Sequence, residues 1–494
     1  MSRDTDNSLP LSVAVVAGGV AGLATAVQLR DRAREAGIEL QVTVFEKGTA
    51  PGGNLQTLRH GDWQLEWGPN GFLDNEPATL RLVERLGLQD RLQRSSDATA
   101  RRFLLIDGRI QEIPTSPKAF LGSRMMTLGA KLRMAGELLV PKRQDLGRAA
   151  VDPSTDETIH QFGVRRLGPT FAEVMLDPMV KGVFGGDSRR LSLAAAFPRM
   201  VELENQYGGL FKAMIKLARQ KKKEGRKKTD AGPSGTLHSF TGGMATLIDA
   251  LVTVLADDPF AEIRTGADVE RVDRTPAGWI ITASGVEFGP YDAIVEAAPA
   301  HAAAAHLGHL DPVFAEYLGA IPFAPMAVIA LGFPRDAVTH DLAGFGMLVP
   351  SREKRDLLGV LWTSSIFPGR APDGQVLLRC MAGGFANPGF LDLTEEEMTR
   401  TILSELRPLL GLRGEPDMVQ IFKHEQAIAQ YVPGHLHRLA AIEACAEKFE
   451  GLYLTGSSYR GIAVNSCIKE SELVAEKLLD SLAGMTGHVQ SEAL

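Results

Sequence analysis

Apolar and polar positions follow two rhythms along this chain, short apolar runs broken by glycine turns and longer stretches at helical spacing. Ser12 to Val16 is an apolar run of strand length, Ala17 to Gly22 a glycine-rich turn, and Leu23 to Arg34 an alanine-rich segment that predicts a helix. A second run, LQVTVFE, ends at Glu46 and completes a strand, helix, strand unit. From about Pro114 to Gln220 the rhythm is helical. Phe197, Met200, Val201, Tyr207, Leu210, Phe211, Met214 and Ile215 recur at the spacing of one helix face, with charges between them. Residues 221–235, KKKEGRKKTDAGPSG, hold almost no apolar side chain and several helix breakers, which predicts a solvated loop. Beyond it, HSFTGGMATLIDAL predicts a turn and helix, EIRTGADVERVDR strands, and GWIITASGVEFGPYDAIVEAAPA a hairpin feeding a strand that stops at Pro299. Glu296 breaks the apolar pattern of that strand and is expected at a solvated strand end. Strands and turns alternate from about His301 to Phe422, as a second, sheet-based domain requires, and GLYLTGSSYRGIAVNSCIKESELVAEKLL closes with strand, glycine turn and helix.

At 494 residues the chain exceeds what one core sustains, so two or three domains are expected. Its 53 basic and 60 acidic side chains give a net charge of −7 and no sign of a nucleic-acid surface. Cys380, Cys445 and Cys467 are widely spaced and form no CxxC pair, which fits a reducing compartment without a disulfide framework or metal site. The start, MSRDTDNSLP, lacks the basic flank and apolar run of a signal peptide, and glycines interrupt the apolar run from Val13 to Leu29. A cytoplasmic protein without a transmembrane span is expected.

A dinucleotide pyrophosphate is held by backbone N–H groups at a helix N-terminus, where the helix dipole favours anions and side chains would block the approach. In VAVVAGGVAGLATA, residues 13–26, Gly19 and Gly22 stand where the close-approach and helix-packing glycines belong. Glu46, 24 positions after Gly22, can accept hydrogen bonds from ribose hydroxyls. Ala17 occupies the place of the first glycine. Two more clusters, PGGNLQT after the second strand and TGSSYRGIAVNSC near the C-terminus, exceed what a nicotinamide-binding domain needs.

Together with WGPNGFLD at 67–74, these clusters resemble the flavin-dependent amine oxidase superfamily, whose FAD domain is assembled from separated stretches of chain. GPNGFLDNEPATLRLVERLGL, FAEVMLDPMVKGVFGGDSRRLSLAAAFPRM, GFGMLVP, LLGVLWTSSIFP and GIAVNSCI resemble more narrowly the oxygen-dependent protoporphyrinogen IX oxidases. The resemblance covers nearly the whole chain in order, apart from the first ten residues and the lysine-rich loop. It implies an α/β (α+β) architecture of the p-hydroxybenzoate-hydroxylase and amine-oxidase type. Residues 10–98, 235–302 and 420–485 would form a Rossmann-like FAD-binding domain and residues 99–113 and 303–419 a sheet-based substrate domain. Residues 114–220 would form a helical membrane-associating domain and 221–234 a flexible basic loop.

What the resemblance implies for function is FAD, bound noncovalently. Ala17, Gly18, Gly19, Val20, Ala21 and Gly22 would hold its pyrophosphate, Glu46 a ribose, and Gly52, Gly53 and Asn54 would follow. Gly68, Pro69, Asn70, Gly71, Val269, Gly456, Ser457, Ile462, Ala463 and Val464 would lie along the rest. The implied reaction is the six-electron oxidation of protoporphyrinogen IX to protoporphyrin IX with O2 as acceptor, giving H2O2, a step of porphyrin and heme biosynthesis. The cofactor carries that chemistry, so no catalytic side chain and no metal are expected. The protein would supply an apolar slot from Phe345, Gly346, Leu348, Leu358 and Met381, with Gly182 where backbone comes close to flavin and macrocycle. Arg102 aligns with the arginine that pairs with a propionate, a task that suits a guanidinium fork. Neighbouring strand residues face opposite ways, so Arg101 would point elsewhere. Expected partners are the porphyrinogen, O2 and the inner face of the cell membrane, with a homodimer and the next enzyme of heme synthesis as further expectations and no nucleic acid.

Lys181, next to Gly182, is expected to be solvated, and Cys467 to be a buried thiol rather than a flavin attachment point. Three positions depart from the family pattern: Ala17 replaces a glycine, Ala429 a common proline and Ser466 a common aspartate. Two rivals follow from the sequence. One is an oxidase of the same family that prefers coproporphyrinogen III, whose four propionates would reward further cations. The other is a non-enzymatic, flavin-free binding protein on the same fold.

Overall fold

The computed structural model describes residues 10–223 and 235–492. The expected basic loop is only partly within this range: residues 221–223 continue a helix, and 224–234 lie outside the described residues, as do 1–9.

The strand, helix, strand unit forms as expected, with β1 (Leu11–Val16), α1 (Val20–Ala36) and β2 (Leu40–Glu46). β1 is central in a five-stranded parallel sheet, flanked by β2 and by Ala293–Glu296, with Ala261–Thr265 and Leu452–Leu454 at the edges. Both faces are covered, which is why β1 reads as an unbroken apolar run rather than an alternation. Val13 and Val15 pack among α1, the helix Ala245–Ala256 and the C-terminal helix Val464–Glu492. Ala14 and Val16 face a second cluster that includes Trp279 and Ile281 of a three-stranded sheet.

A seven-stranded sheet forms the second layer system. Its order is Met418–Ala429, Phe323–Pro334, Gln375–Gly383, Leu357–Trp362, Gly346–Leu348, Phe103–Ile106 and Arg109–Glu112. One face packs Ile329, Leu331, Leu378 and Cys380 against Met398, Ile402 and Leu406 of the helix Glu395–Leu410. The other turns Met326, Val328, Leu377 and Met381 toward Trp63 and Leu65 of a hairpin. The expected domain boundary at residue 419 cuts a strand, because the ladder between Phe323–Pro334 and Met418–Ala429 runs on to the pair Phe323 and Ala429. Residues 420–429 therefore belong to this sheet.

The expected helical stretch is a set of short helices with a buried ionic centre. Gly208 and Gly209, both at positive φ, split the apolar periodicity of 197–220 into Pro198–Tyr207 and Leu210–Lys223. A side chain at Gly209 would overlap the Arg166 guanidinium. Arg166, fully buried, is paired with Glu137 and lies 3.3 Å from Glu204, both also fully buried. Glu137 further accepts from the backbone N–H groups of Leu210 (2.8 Å) and Phe211 (3.2 Å), capping the start of that helix.

Two expectations about charged residues are corrected. Glu296 is not at a solvated strand end but fully buried. It accepts from the Ala298 N–H (3.0 Å) and from His306 Nδ1 (2.9 Å). Burial disfavours charge on His306, but the hydrogen bond and charge of Glu296 outweigh it and raise the imidazole above its ordinary pKa. The strand end is covered by the helix Ala300–Leu307, which the apolar pattern of the strand alone does not reveal. Lys181 is likewise buried, not solvated. Burial pushes its ammonium down, against the pull of Asp177 and Glu405.

Removing one partner of a buried ion pair leaves the other charge uncompensated. Arg166→Met is expected to lower the free energy of unfolding by about 3–5 kcal/mol, read from the midpoint and slope of a urea titration.

Candidate cofactor and substrate site

The turn between β1 and α1 is fixed by close backbone packing. A Cβ on Gly22 would lie 2.0 Å from the Ala17 carbonyl oxygen, so only glycine allows α1 to start this close to β1. Ala17 has φ +80°, the left-handed conformation that glycine adopts freely and alanine adopts at a cost. Gly19 is the cradle: a Cβ there would meet no protein atom within 4 Å. Glu46 at the end of β2 is already engaged by backbone, accepting from Gly18 N–H (2.9 Å) and Gly48 N–H (2.7 Å). Its carboxylate is thereby held in place beside the turn, with lone pairs left for a ribose. Val269 starts the next strand after a backbone bond from Ala267 N–H to the Glu46 carbonyl (2.9 Å).

The separated glycine clusters converge on this turn. Gly52 N–H donates to the Gly18 carbonyl (2.8 Å), and a Cβ on Gly53 would come within 3.3 Å of Gly19 Cα. Next, a Cβ on Gly68 would overlap the Asn54 carbonyl, joining the PGGN turn to the GPNG loop. The C-terminal turn joins from the other side: Thr455 N–H donates to the Glu296 carbonyl (3.0 Å), and Ser471 Oγ donates to the Ala21 carbonyl (3.0 Å). Asn465 Nδ2 donates to the Leu73 carbonyl (2.8 Å), tying Ile462, Ala463 and Val464 to the segment that follows Gly71. Tyr431, which the sequence reading did not single out, holds this turn by donating from its hydroxyl to the Ser457 carbonyl (2.7 Å) and accepting from Gly461 N–H (2.8 Å). Gly461 also leaves room for the Ser466 side chain.

Several buried polar atoms along these turns have no partner among the described residues. Both amide atoms of Asn70 and Thr455 Oγ1 are among them. Buried polar atoms are almost always satisfied, so these orphans suit a polar planar group lying against the GPNG loop and the TGSS turn. With the open cradle at Gly19, the residues fit a flavin dinucleotide. Cys467 is a buried thiol whose pKa burial pushes up to about 12, which does not suit a nucleophilic attachment.

The side chains expected to wall a substrate slot lie along the seven-stranded sheet. The helix Asp177–Phe184, preceded by a π turn at Ala172–Leu176, brings Gly182 against Leu348, where a Cβ would lie 2.6 Å from Leu348 Cδ2. Gly359 faces the same methyl at 2.9 Å, so two glycines make the space Leu348 fills. Gly346 at φ +141° lets its strand close on Val360 and Leu361. Leu358 reaches toward Gly384, and Phe385 N–H donates to the Gly185 carbonyl (2.7 Å), closing one end. Met381 shares a cluster with Leu358, and Phe345 packs beside Leu361.

Arg101 and Arg102 take different surroundings, although both precede the strand, which starts at Phe103. Arg101 is consumed by Glu112 (3.0 Å), Asp341 (3.6 Å) and the Ala343 carbonyl (3.0 Å). Arg102 lies over the Phe345 ring at 5.5 Å and makes no ion pair among the described residues. No group of acids, histidines and cysteines among the described residues could hold a metal. His424 is committed to Trp67, accepting its indole N–H at Nδ1 (3.1 Å), and burial keeps its pKa low. A charged residue that sequence reasoning missed is Arg379, buried on the site-facing side of its strand. It was visible as a lone cation in the apolar run VLLRCMAGG.

A sequence model described as flavin containing amine oxidoreductase matches residues 20–479. The chain is 31% identical over 484 residues to a protein of Oryza sativa subsp. japonica named protoporphyrinogen oxidase, chloroplastic, spanning 95% of this chain and 88% of that one. It is 26% identical over 479 residues to a Bacillus subtilis (strain 168) protein named coproporphyrinogen III oxidase, spanning 95% and 98%. A solved Exiguobacterium sp. 255-15 structure superposes with a TM-score of 0.78 at 23% identity over 96% of this chain and 99% of that one. Reduced UDP-galactopyranose mutase does so with 0.69 at 14% identity over 96% and 94%. These structures share the fold.

Ala17→Gly removes a left-handed alanine, a relief of about 1–2 kcal/mol, and loosens the unfolded chain by about 0.4–1 kcal/mol. A net gain of about 0.5–1 kcal/mol in stability is expected by thermal unfolding, with cofactor retained at least as well in dilution assays.

Proposed function

The chain belongs to the flavin containing amine oxidoreductase family, and on that premise we propose that it oxidises protoporphyrinogen IX to protoporphyrin IX with O2 as terminal acceptor. Its cofactor is FAD. The observation that carries the substrate assignment is Arg102, an exposed guanidinium without a carboxylate partner at the edge of a slot walled by Phe345, Leu348, Leu358 and Met381. An apolar macrocycle with carboxylates on one side matches that arrangement: rings enter the slot and a propionate stays at the mouth with the arginine.

The bound FAD supplies a two-electron acceptor that O2 returns to its oxidised state. The chain's own task is to hold and dry the two reactants. The Gly19 cradle would receive the pyrophosphate, and Asn70 and Thr455 would meet polar edges of the ring system. Leu348, seated by Gly182 and Gly359, and Leu358 against Gly384 exclude water from the macrocycle. His424, with both ring nitrogens engaged by Trp67, is not free to act as an acid or base. The flavin-free binding reading loses its support with the family match.

Membrane attachment is part of the same proposal. Leu121, Leu128, Leu132 and Leu139 are exposed, Leu128 and Leu139 at 72% and 87%. Leu128 and Leu132 share a helix face, and Lys131 Nζ donates to the Leu121 carbonyl (2.7 Å), drawing the two short helices together. No described helix is long and apolar enough to cross a membrane, so these leucines support a shallow interfacial contact at the inner face of the cell membrane.

Porphyrin fluorescence under air should rise above autoxidation when protoporphyrinogen IX is added to the FAD-loaded protein. Arg102→Ala should raise KM about tenfold or more with kcat little changed, as loss of one charged hydrogen bond predicts. Faster turnover of coproporphyrinogen III would reassign the substrate within the family. In flotation assays with anionic vesicles, a variant with Leu128, Leu132 and Leu139 changed to Ser should lose most of its bound fraction while keeping turnover of detergent-solubilised substrate.

A further inference from the structure

Arg379 lies on the strand Gln375–Gly383, opposite Ala330 and Leu361 and one residue pair from Met381 on the slot-facing side. Its residue is only 8% exposed. One guanidinium nitrogen donates to the Gly68 carbonyl of the GPNG loop, and among the described residues Nε has no partner and no carboxylate bonds to the guanidinium. Glu66, the acid whose charge it feels, is spent on Arg370, Thr57 Oγ1 (2.8 Å) and Met244 N–H (3.2 Å). Of its other charged or titratable neighbours, His424 is held neutral by burial, and the Cys380 thiol is pushed up by burial. Burial pushes the guanidinium down to about 10, which still leaves it charged at neutral pH. A buried cation without an anion is costly, and this one sits beside the loop whose Asn70 side chain also lacks partners.

We propose that Arg379 is the counter-charge for the reduced flavin, its guanidinium facing the isoalloxazine beside the GPNG loop and stabilising the negative charge that reduction creates. The proposal rests on the FAD-dependent oxidase reading above. In each cycle the substrate gives two electrons and one proton to the isoalloxazine and releases a second proton from a pyrrole nitrogen. The reduced ring then carries one negative charge until O2 takes two electrons and, with two protons, leaves as H2O2. A fixed cation favours the reduced form over the neutral oxidised form and so raises the potential. Arg379 touches no reacting bond in this account except through that charge.

The test uses FAD-loaded protein, with potentials and sulfite binding measured without porphyrinogen and turnover measured separately. Wild type, Arg379→Gln and Arg379→Lys are titrated with sulfite, whose flavin adduct is also anionic, and their reduction potentials are measured against a reference dye. Arg379→Gln should weaken sulfite binding at least tenfold and lower the potential by about 30 mV or more, the two-electron equivalent of tenfold. Arg379→Lys should stay within about threefold of wild type, and the KM for porphyrinogen should be unmoved in both. If the Gln variant does not fold, Arg379→Met makes the same comparison. An unshifted potential with a raised KM would overturn the proposal in favour of a substrate-carboxylate role. An unshifted potential with lost FAD retention would overturn it in favour of simple bracing of the Gly68 loop. A wild-type protein that takes up no FAD would sink both this proposal and the oxidase reading. A shifted potential in a protein that oxidises no porphyrinogen would sink the oxidase reading alone.

Discussion

The site depends on one backbone contact, the Ala17 carbonyl against Gly22. There is no room for a Cβ between them, so α1 begins as near to β1 as a polypeptide allows. That proximity leaves Gly19 at the open side of the turn and lets Gly52 bond to the Gly18 carbonyl, which in turn aligns Gly53, Asn54 and Gly68. Ala17 is the residue that bears the strain, at φ +80°, and it persists because its N–H bonds to the Phe45 carbonyl (2.9 Å) on one side while Gly22 confines it on the other.

Buried charge is treated in two ways in this molecule. Glu66 with Arg370, and Glu137 with Arg166 and Glu204, are buried ion pairs joined by further backbone and side-chain hydrogen bonds, and they join elements distant in sequence. Their geometry explains them as structure. Arg379 is the contrast, a buried guanidinium with one carbonyl for company. The difference between a guanidinium that faces a buried carboxylate and one that does not is what separates a fold contact from a site contact here.

Small residues shape the slot as much as large ones do. Gly182 and Gly359 exist where they do because Leu348 needs their space, and Gly185 and Gly384 let the helix end and the strand end meet through backbone alone. The helices around this wall carry their leucines outward. The same region thus has an apolar interior and an apolar exterior, with the Arg166 cluster holding the helices between.

The sequence alone determined the local units: β1, α1 and β2, the three glycine turns, and Glu46 at the end of β2. These follow from periodicity and glycine spacing, which are properties of neighbours in the chain. It did not reveal that Glu296 is buried against His306, that Lys181 is enclosed, or that the second sheet extends to Ala429. Each of those depends on what another segment places on top, and periodicity records which side chains share a face without recording what covers it. The same holds for Tyr431, which meets the Ser457 and Gly461 backbone only after folding, and for Arg379, whose burial without a carboxylate among the described residues is a fact of the tertiary structure. Local geometry was therefore written in the chain, while the solvation and pairing of its charges were decided only by the tertiary structure.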